Sequence, residues 1–148
     1  MPMRPLAAAF AALVLAFVAV VAGGCQGNVF SLKVGQCFSG LASGEVSDVN
    51  TVDCATAHDS EVFSVFDYPN PPSDFPGADA VNAAATAQCA TAFQDYVGVA
   101  ATASTLYSYG WIAPTADSWK AGDHQIICLI HSATQGSTLT GSAKSTAK

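Results

Sequence analysis

The stretch Asp79-Ala80-Val81-Asn82-Ala83-Ala84-Ala85-Thr86-Ala87-Gln88-Cys89-Ala90-Thr91-Ala92-Phe93-Gln94-Asp95-Tyr96-Val97 decides the fold. Val81, Ala85, Cys89, Ala92, Phe93, Tyr96 and Val97 recur three or four apart and form one apolar stripe, the pattern of a helix lying on a core. Asp79 can cap its start, and Gly98 stands where a helix stops. The stripe places Cys89 on the buried face, within reach of a sheet beneath.

Strand signals flank this helix. Upstream, Glu61-Val62-Phe63-Ser64-Val65-Phe66 is rich in β-formers, although it alternates only partly. The proline-punctuated segment from Asp67 to Gly77 cannot continue a central strand and reads as a loop. Downstream, Thr105 to Ile112 reads as an aromatic-rich strand, Pro114 to Gly122 as a loop carrying Trp119, and His124 to His131 as the strongest strand. Nearer the N-terminus, Leu32 to Phe38 and the region of Val52 and Cys54 read as short strands around a Gly/Ser/Asp-rich loop, Ser39 to Asn50. The expected architecture is α+β: a small antiparallel sheet with one packed helix, stapled by disulfides. The domain is expected over residues 32–142, with a disordered Ser/Thr/Gly/Ala/Lys tail at 143–148.

Residues Leu6 to Ala22 carry no charged or polar side chain and follow Arg4, the layout of a secretory signal. Ala22-Gly23-Gly24-Cys25 resembles a bacterial lipobox, which assigns residues 1–24 to a lipoprotein signal peptide and Cys25 to lipidation. An uncleaved membrane helix and plain secretion are the alternatives. Residues 25–31 are expected to be the anchor and a short tether, since Gln26 to Phe30 extends at most ~17 Å. The expected location is the extracytoplasmic face of the cell membrane.

Cysteine parity agrees with export. Five cysteines leave one unpaired; if Cys25 takes lipid, Cys37, Cys54, Cys89 and Cys128 can form two disulfides. Three connectivities are open. Cys37–Cys54 with Cys89–Cys128 is favoured because it pairs chain neighbours and ties the helix to the last strand.

Without Arg4, four lysines face eleven acids, and the formal charge moves from −6 to −7. Such a chain has no basic patch for nucleic acid or for electrostatic docking on anionic lipid.

The ordered motifs resemble the actinobacterial septum-formation domain family. Gly35-Gln36-Cys37-Phe38 parallels its Gly-Asp-Cys-Phe, and Cys54-Ala55-Thr56-Ala57-His58-Asp59-Ser60-Glu61-Val62 its Cys-x-x-x-His-x-x-Glu-Val. Phe75-Pro76-Gly77, Cys89, Tyr96-Val97-Gly98, Pro114, Trp119-x-x-Gly122-Asp123, Cys128 and Leu139-Thr140-Gly141-Ser142 follow in order. Gln36 and His124 depart from the pattern, which usually has Asp and often Arg there. The resemblance implies division or envelope biology and no defined chemistry.

Candidate chemistry is sparse. Cys54, His58, Cys128 and His131 have tolerable spacing for zinc, but thiols outside the cell oxidise, so no metal and no cofactor are expected. His58, Asp59 and Glu61 supply base and acid types, yet no Gly-x-Ser-x-Gly, His-Glu-x-x-His or phosphate loop accompanies them. Trp119, Tyr109 and Trp111, with His58 and Glu61, are the candidate binding surface, Trp119 foremost because it lies in a loop. The leading expectation is a non-catalytic envelope module that binds an envelope or division protein or a cell-wall component. The rivals are an envelope-polymer hydrolase using His58 with Glu61 or Asp59, and a small-molecule or metal carrier.

Overall fold

The computed structural model describes residues 26–40 and 48–148; the expected signal peptide and Cys25 lie outside the described residues. The elements run β1 (Gln26–Asn28), a 3₁₀ turn (Val29–Ser31), β2 (Cys37–Ser39), β3 (Asp48–Val52), β4 (Ser60–Asp67), α1 (Ala78–Val97), β5 (Tyr107–Ile112), α2 (Ala116–Lys120) and β6 (Gln125–Ser132). Six strands form one antiparallel sheet in the order β1-β3-β2-β4-β6-β5. The architecture is the expected small α+β fold.

β6 has an unbroken apolar centre because both of its faces are covered. Cys128 and Ile130 join Cys89, Phe93, Tyr96 and Val97 under α1. Ile126 meets Val81, Ala85 and Trp119 at the N-terminal end of the same helix. Ile127 and Leu129 face the other way, onto Val62, Phe38, Val49 and the pegs Val29 and Leu32. Helix and N-terminal turn thus sandwich the central strands, and the usual polar alternation of an open antiparallel sheet is lost.

The imperfect alternation of β4 has a local cause. Val62 stands opposite Leu129 and Ser64 opposite Cys128, so Phe63 is an extra residue in the ladder. The bulge lets Phe63 enter the cluster under α1 while Val62 and Val65 face the opposite core.

α1 begins one residue before the predicted Asp79. Its N-cap is Gly77, at φ 94°, and no side chain caps it; Asp79 lies in the first turn. Its C-cap is Gly98 in the left-handed region at φ 99°, a conformation that favours glycine. The disulfides join Cys37 to Cys54 and Cys89 to Cys128, closing sequence separations of 17 and 39 residues. Loops of these lengths correspond to about 3 and about 4 kcal/mol of denatured-state entropy.

Two expected boundaries are corrected. Residues 26–31 are not a tether: Gln26, Gly27 and Asn28 pair with Asn50, Val49 and Asp48, and Val29 is buried. Residues 143–148 are not a disordered tail. Ala143 is buried, and the amides of Ser145 and Ala147 donate to the carbonyls of Tyr96 and Val97 at 2.8 Å each. The last turn of a helix leaves carbonyls without intrahelical donors, and here the Ser145 and Ala147 amides supply them. Leu32 to Phe38 is also less extended than expected: only Cys37–Ser39 is strand, preceded by tight turns.

Candidate functional site

Cross-strand register brings the polar residues of the Cys-x-x-x-His-x-x-Glu segment inside the domain. Glu61 pairs with Cys37 on one side and Ile130 on the other, in the middle of the sheet. Its side chain is 0% exposed and points to the helix side, where Tyr96 Oη donates to Oε1 at 2.8 Å. Ser142 Oγ donates to the same oxygen, and the Ala143 amide donates to Oε2 at 2.7 Å. A buried carboxylate is tolerable only when its oxygens are satisfied in this way.

The network binds three remote parts of the chain: β4, the end of α1 and the C-terminal segment. It also acts on Tyr96, whose hydroxyl pKa is pushed up to about 12. Burial is the largest cause, followed by the hydrogen bond to Glu61 and its negative charge, while the bond from Ser142 pulls the other way. Tyr96 therefore remains a donor throughout the physiological range.

His58 is 0% exposed, just before β4. Its backbone bridges to Leu139 in both directions, at 3.0 and 2.8 Å. Nδ1 lies 2.8 Å from the Thr56 carbonyl. A carbonyl only accepts, so Nδ1 carries the hydrogen. Nε2 is buried with no hydrogen-bond partner. Asp59 is turned elsewhere and accepts from the Gly40 amide at 2.9 Å.

One donor atom each from Cys37, His58 and Glu61 lies within 4.8 Å of the others. This differs from the Cys54/His58/Cys128/His131 set considered from spacing. Cys37 Sγ is committed to a disulfide and both Glu61 oxygens to hydrogen bonds. A disulfide sulfur lacks the thiolate charge that metal binding uses.

The expected aromatic binding surface is largely corrected. Trp119, expected in an exposed loop, is 2% exposed on the short helix α2. Thr115 and Ser118 form a reciprocal capping box at its start. The Trp119 ring meets Tyr68, Phe75 and His124 at 5.5, 5.7 and 4.3 Å, and its Nε1 donates to the Pro72 carbonyl at 3.1 Å. It pins the proline loop to the body. His58 and Glu61 are interior groups too, so neither belongs to a surface. Trp111 is half-buried and donates to Asn82 Oδ1 at 3.1 Å. Tyr109 is half-buried as well, packed on Phe63 and Phe93.

Tyr109 alone of the five also lines an open groove, of about 610 Å³, between α1, residues 100–102 and β5. Thr91, Gln94, Asp95 and Thr102 give the groove a mixed polar wall. A smaller groove of about 280 Å³ lies across Ser108, beside His131 and residues 132–137. Sequence reasoning missed Tyr96, Ser142 and the 143 amide as the partners of Glu61. A signal for two of them was present, because Tyr96 and Ser142 both stand in the ordered motifs that carry the family resemblance.

Fold and site together define a small, disulfide-stapled α+β domain in which His58 and Glu61 are internal and an open groove is lined by Tyr109. The chain belongs to the septum-formation family, which matches residues 21–148. It is 34% identical over 119 residues to a protein named "Putative lipoprotein LppN" of Mycobacterium tuberculosis, and equally to the protein of that name of Mycobacterium bovis. The match takes in 77% of this chain but 63% of those relatives, so the chain spans less than two thirds of their length. No solved structure matches the chain.

Proposed function

We propose that this is an exported, lipid-anchored protein of the cell envelope, acting as a non-catalytic binding module in septum formation or envelope biogenesis. The family and the relatives named as lipoproteins support the envelope setting. Ala22-Gly23-Gly24-Cys25 supplies the anchor, and the cysteine bookkeeping is consistent with it, since the other four cysteines are all in disulfides. Two such bonds suit an oxidising compartment.

The observation that carries the non-catalytic reading is the 0% exposure of both His58 and Glu61. A hydrolase working through them must bring a scissile bond within hydrogen-bond reach of His58, and Glu61 is already spent on Tyr96, Ser142 and Ala143. Recognition instead uses the groove at Tyr109, with Gln94, Asp95 and Thr102 as its polar contacts.

Two measurements test this. Intact mass of membrane-derived protein should show residues 1–24 removed and diacylglycerol on Cys25; an unmodified Cys25 defeats the anchor. Photo-crosslinking in envelope membranes should yield a discrete adduct from wild type. Filling the groove with Thr102→Trp and Gln94→Arg should reduce that adduct about tenfold or more without moving the thermal midpoint, because both residues are exposed. An undiminished adduct removes the groove from the proposal.

A further inference from the structure

Among the described residues, three large apolar side chains are exposed: Phe30 at 51%, Val34 at 53% and Leu106 at 48%. Single exposed apolar residues are ordinary. Two of these three, however, lie five and nine positions after Cys25, on one short turn.

That turn is rigidly held. Val29 and Leu32 are buried in the core shared with Phe38, Val62 and Leu129. The Leu32 amide donates to the Val29 carbonyl at 3.2 Å, the Lys33 amide to Gln36 Oε1 at 2.7 Å, and the Gly35 amide to the Val62 carbonyl at 2.8 Å. With Val29 and Leu32 as inward pegs, Phe30 and Val34 are left outward on a backbone that has no freedom to hide them. Residues 26–28 are paired into the sheet edge, so no loose stalk separates residue 25 from this turn. From residue 25 to Phe30 the chain spans at most ~17 Å, and less when part of it is coiled into a 3₁₀ turn.

We infer that the Phe30–Val34 turn is a membrane-contacting face, seating Phe30 and Val34 in the outer surface of the bilayer beside the lipid on Cys25. The inference rests on the lipid-anchor reading. A lipid at residue 25 confines the turn to the depth of the headgroup and upper acyl layer, where apolar side chains gain burial. Exposed Lys33, between the two, can keep its ammonium at phosphate level while its stem lies along the apolar side chains. The remainder of the chain is acidic, so attraction to anionic lipid contributes little and the contact is apolar in origin. The consequence for the proposed function is orientation: the domain is docked at one fixed edge instead of swinging on a leash.

The experiment uses the full-length, lipidated protein in phosphatidylcholine vesicles containing lipids brominated in the acyl chains. Phe30→Trp, Val34→Trp and Leu106→Trp each add an indole to the shared background of Trp111 and Trp119. Bromine quenching of the added indole should be at least about twofold greater at positions 30 and 34 than at 106. It should be unchanged when part of the phosphatidylcholine is replaced by phosphatidylglycerol. Protein that floats with the vesicles but shows equal quenching at all three positions overturns the docking face and leaves the anchor standing. Protein that does not float, with Cys25 unmodified by mass, overturns the anchor and the docking face with it.

Discussion

The two ends of α1 are held by opposite means. At its N-terminal end Val81 and Ala85 pack with Trp119 and Ile126, and the Trp119 ring wedges against Tyr68, Phe75 and His124. That end is secured by area. At its C-terminal end Tyr96 and Val97 offer carbonyls to Ser145 and Ala147, and Tyr96 Oη bonds to Glu61, which also holds Ser142 and Ala143. That end is secured by directed hydrogen bonds. Burial of area is tolerant of chemistry and sensitive to volume. A buried carboxylate is sensitive to single atoms, because each donor left over carries a desolvation penalty.

The largest expected effect is at the apolar end. Trp119→Ala should cost about 3–5 kcal/mol in urea unfolding, since it opens a cavity beneath the proline loop. Amide exchange at Ser145 and Ala147 should stay slow in the folded population, because the other end of the helix is untouched. Loss of protection at both ends would mean that they form one cooperative unit and are not held independently.

Glu61→Ala should cost about 3 kcal/mol, with a different signature. The amides of Ala143, Ser145 and Ala147 should exchange far faster while the N-terminal half of α1 keeps its protection. Unchanged exchange at these three amides would show that the backbone bonds alone retain the C-terminal segment.

Tyr96→Phe removes one hydroxyl and should cost about 1 kcal/mol, the scale of a single hydrogen bond. Ser142 and Ala143 still serve the Glu61 oxygens in that variant. A cost as large as that of Glu61→Ala would make Tyr96 the centre of the network and Glu61 its accessory.

The last effect emerges only in alkali. Tyr96 ionises near 10 in the unfolded chain and at about 12 in the folded one. Between those values the folded state retains a proton that the unfolded state has released. The stability conferred is therefore complete below pH 10 and is lost as pH rises through about 12. Subtracting the Tyr96→Phe profile from that of wild type should isolate this decline. A flat difference between pH 10 and 12 would mean that the hydroxyl is not held as described.

How far each end could be read from sequence follows the same division. α1 itself was legible, because a stripe of Val81, Ala85, Cys89, Phe93, Tyr96 and Val97 is a local pattern. β4 and β6 were legible too, with the Phe63 bulge accounting for the one irregularity. Trp119 was misplaced because its loop reads as polar punctuation; its burial depends on Tyr68 and Phe75, some fifty residues upstream. The polar end was less legible still. The bond from Ser142 to Glu61 joins residues 81 apart, and no local pattern marks a Ser/Thr/Lys segment as a strap across the end of α1.

The sequence by itself determined α1, β4, β5 and β6, the even set of four cysteines beyond Cys25, the acidic balance and the ordered motifs of the family. Each of these is written in neighbouring residues or in simple counts. Only the tertiary structure decided which polar and aromatic groups are inside: His58, Glu61 and Trp119 are buried, while Phe30 and Val34 remain outside. The physical reason is that the fate of a side chain depends on whether distant segments supply its partners. A carboxylate stays in a core when remote donors reach it, and a phenylalanine stays outside the core when its neighbours have already filled the space beneath.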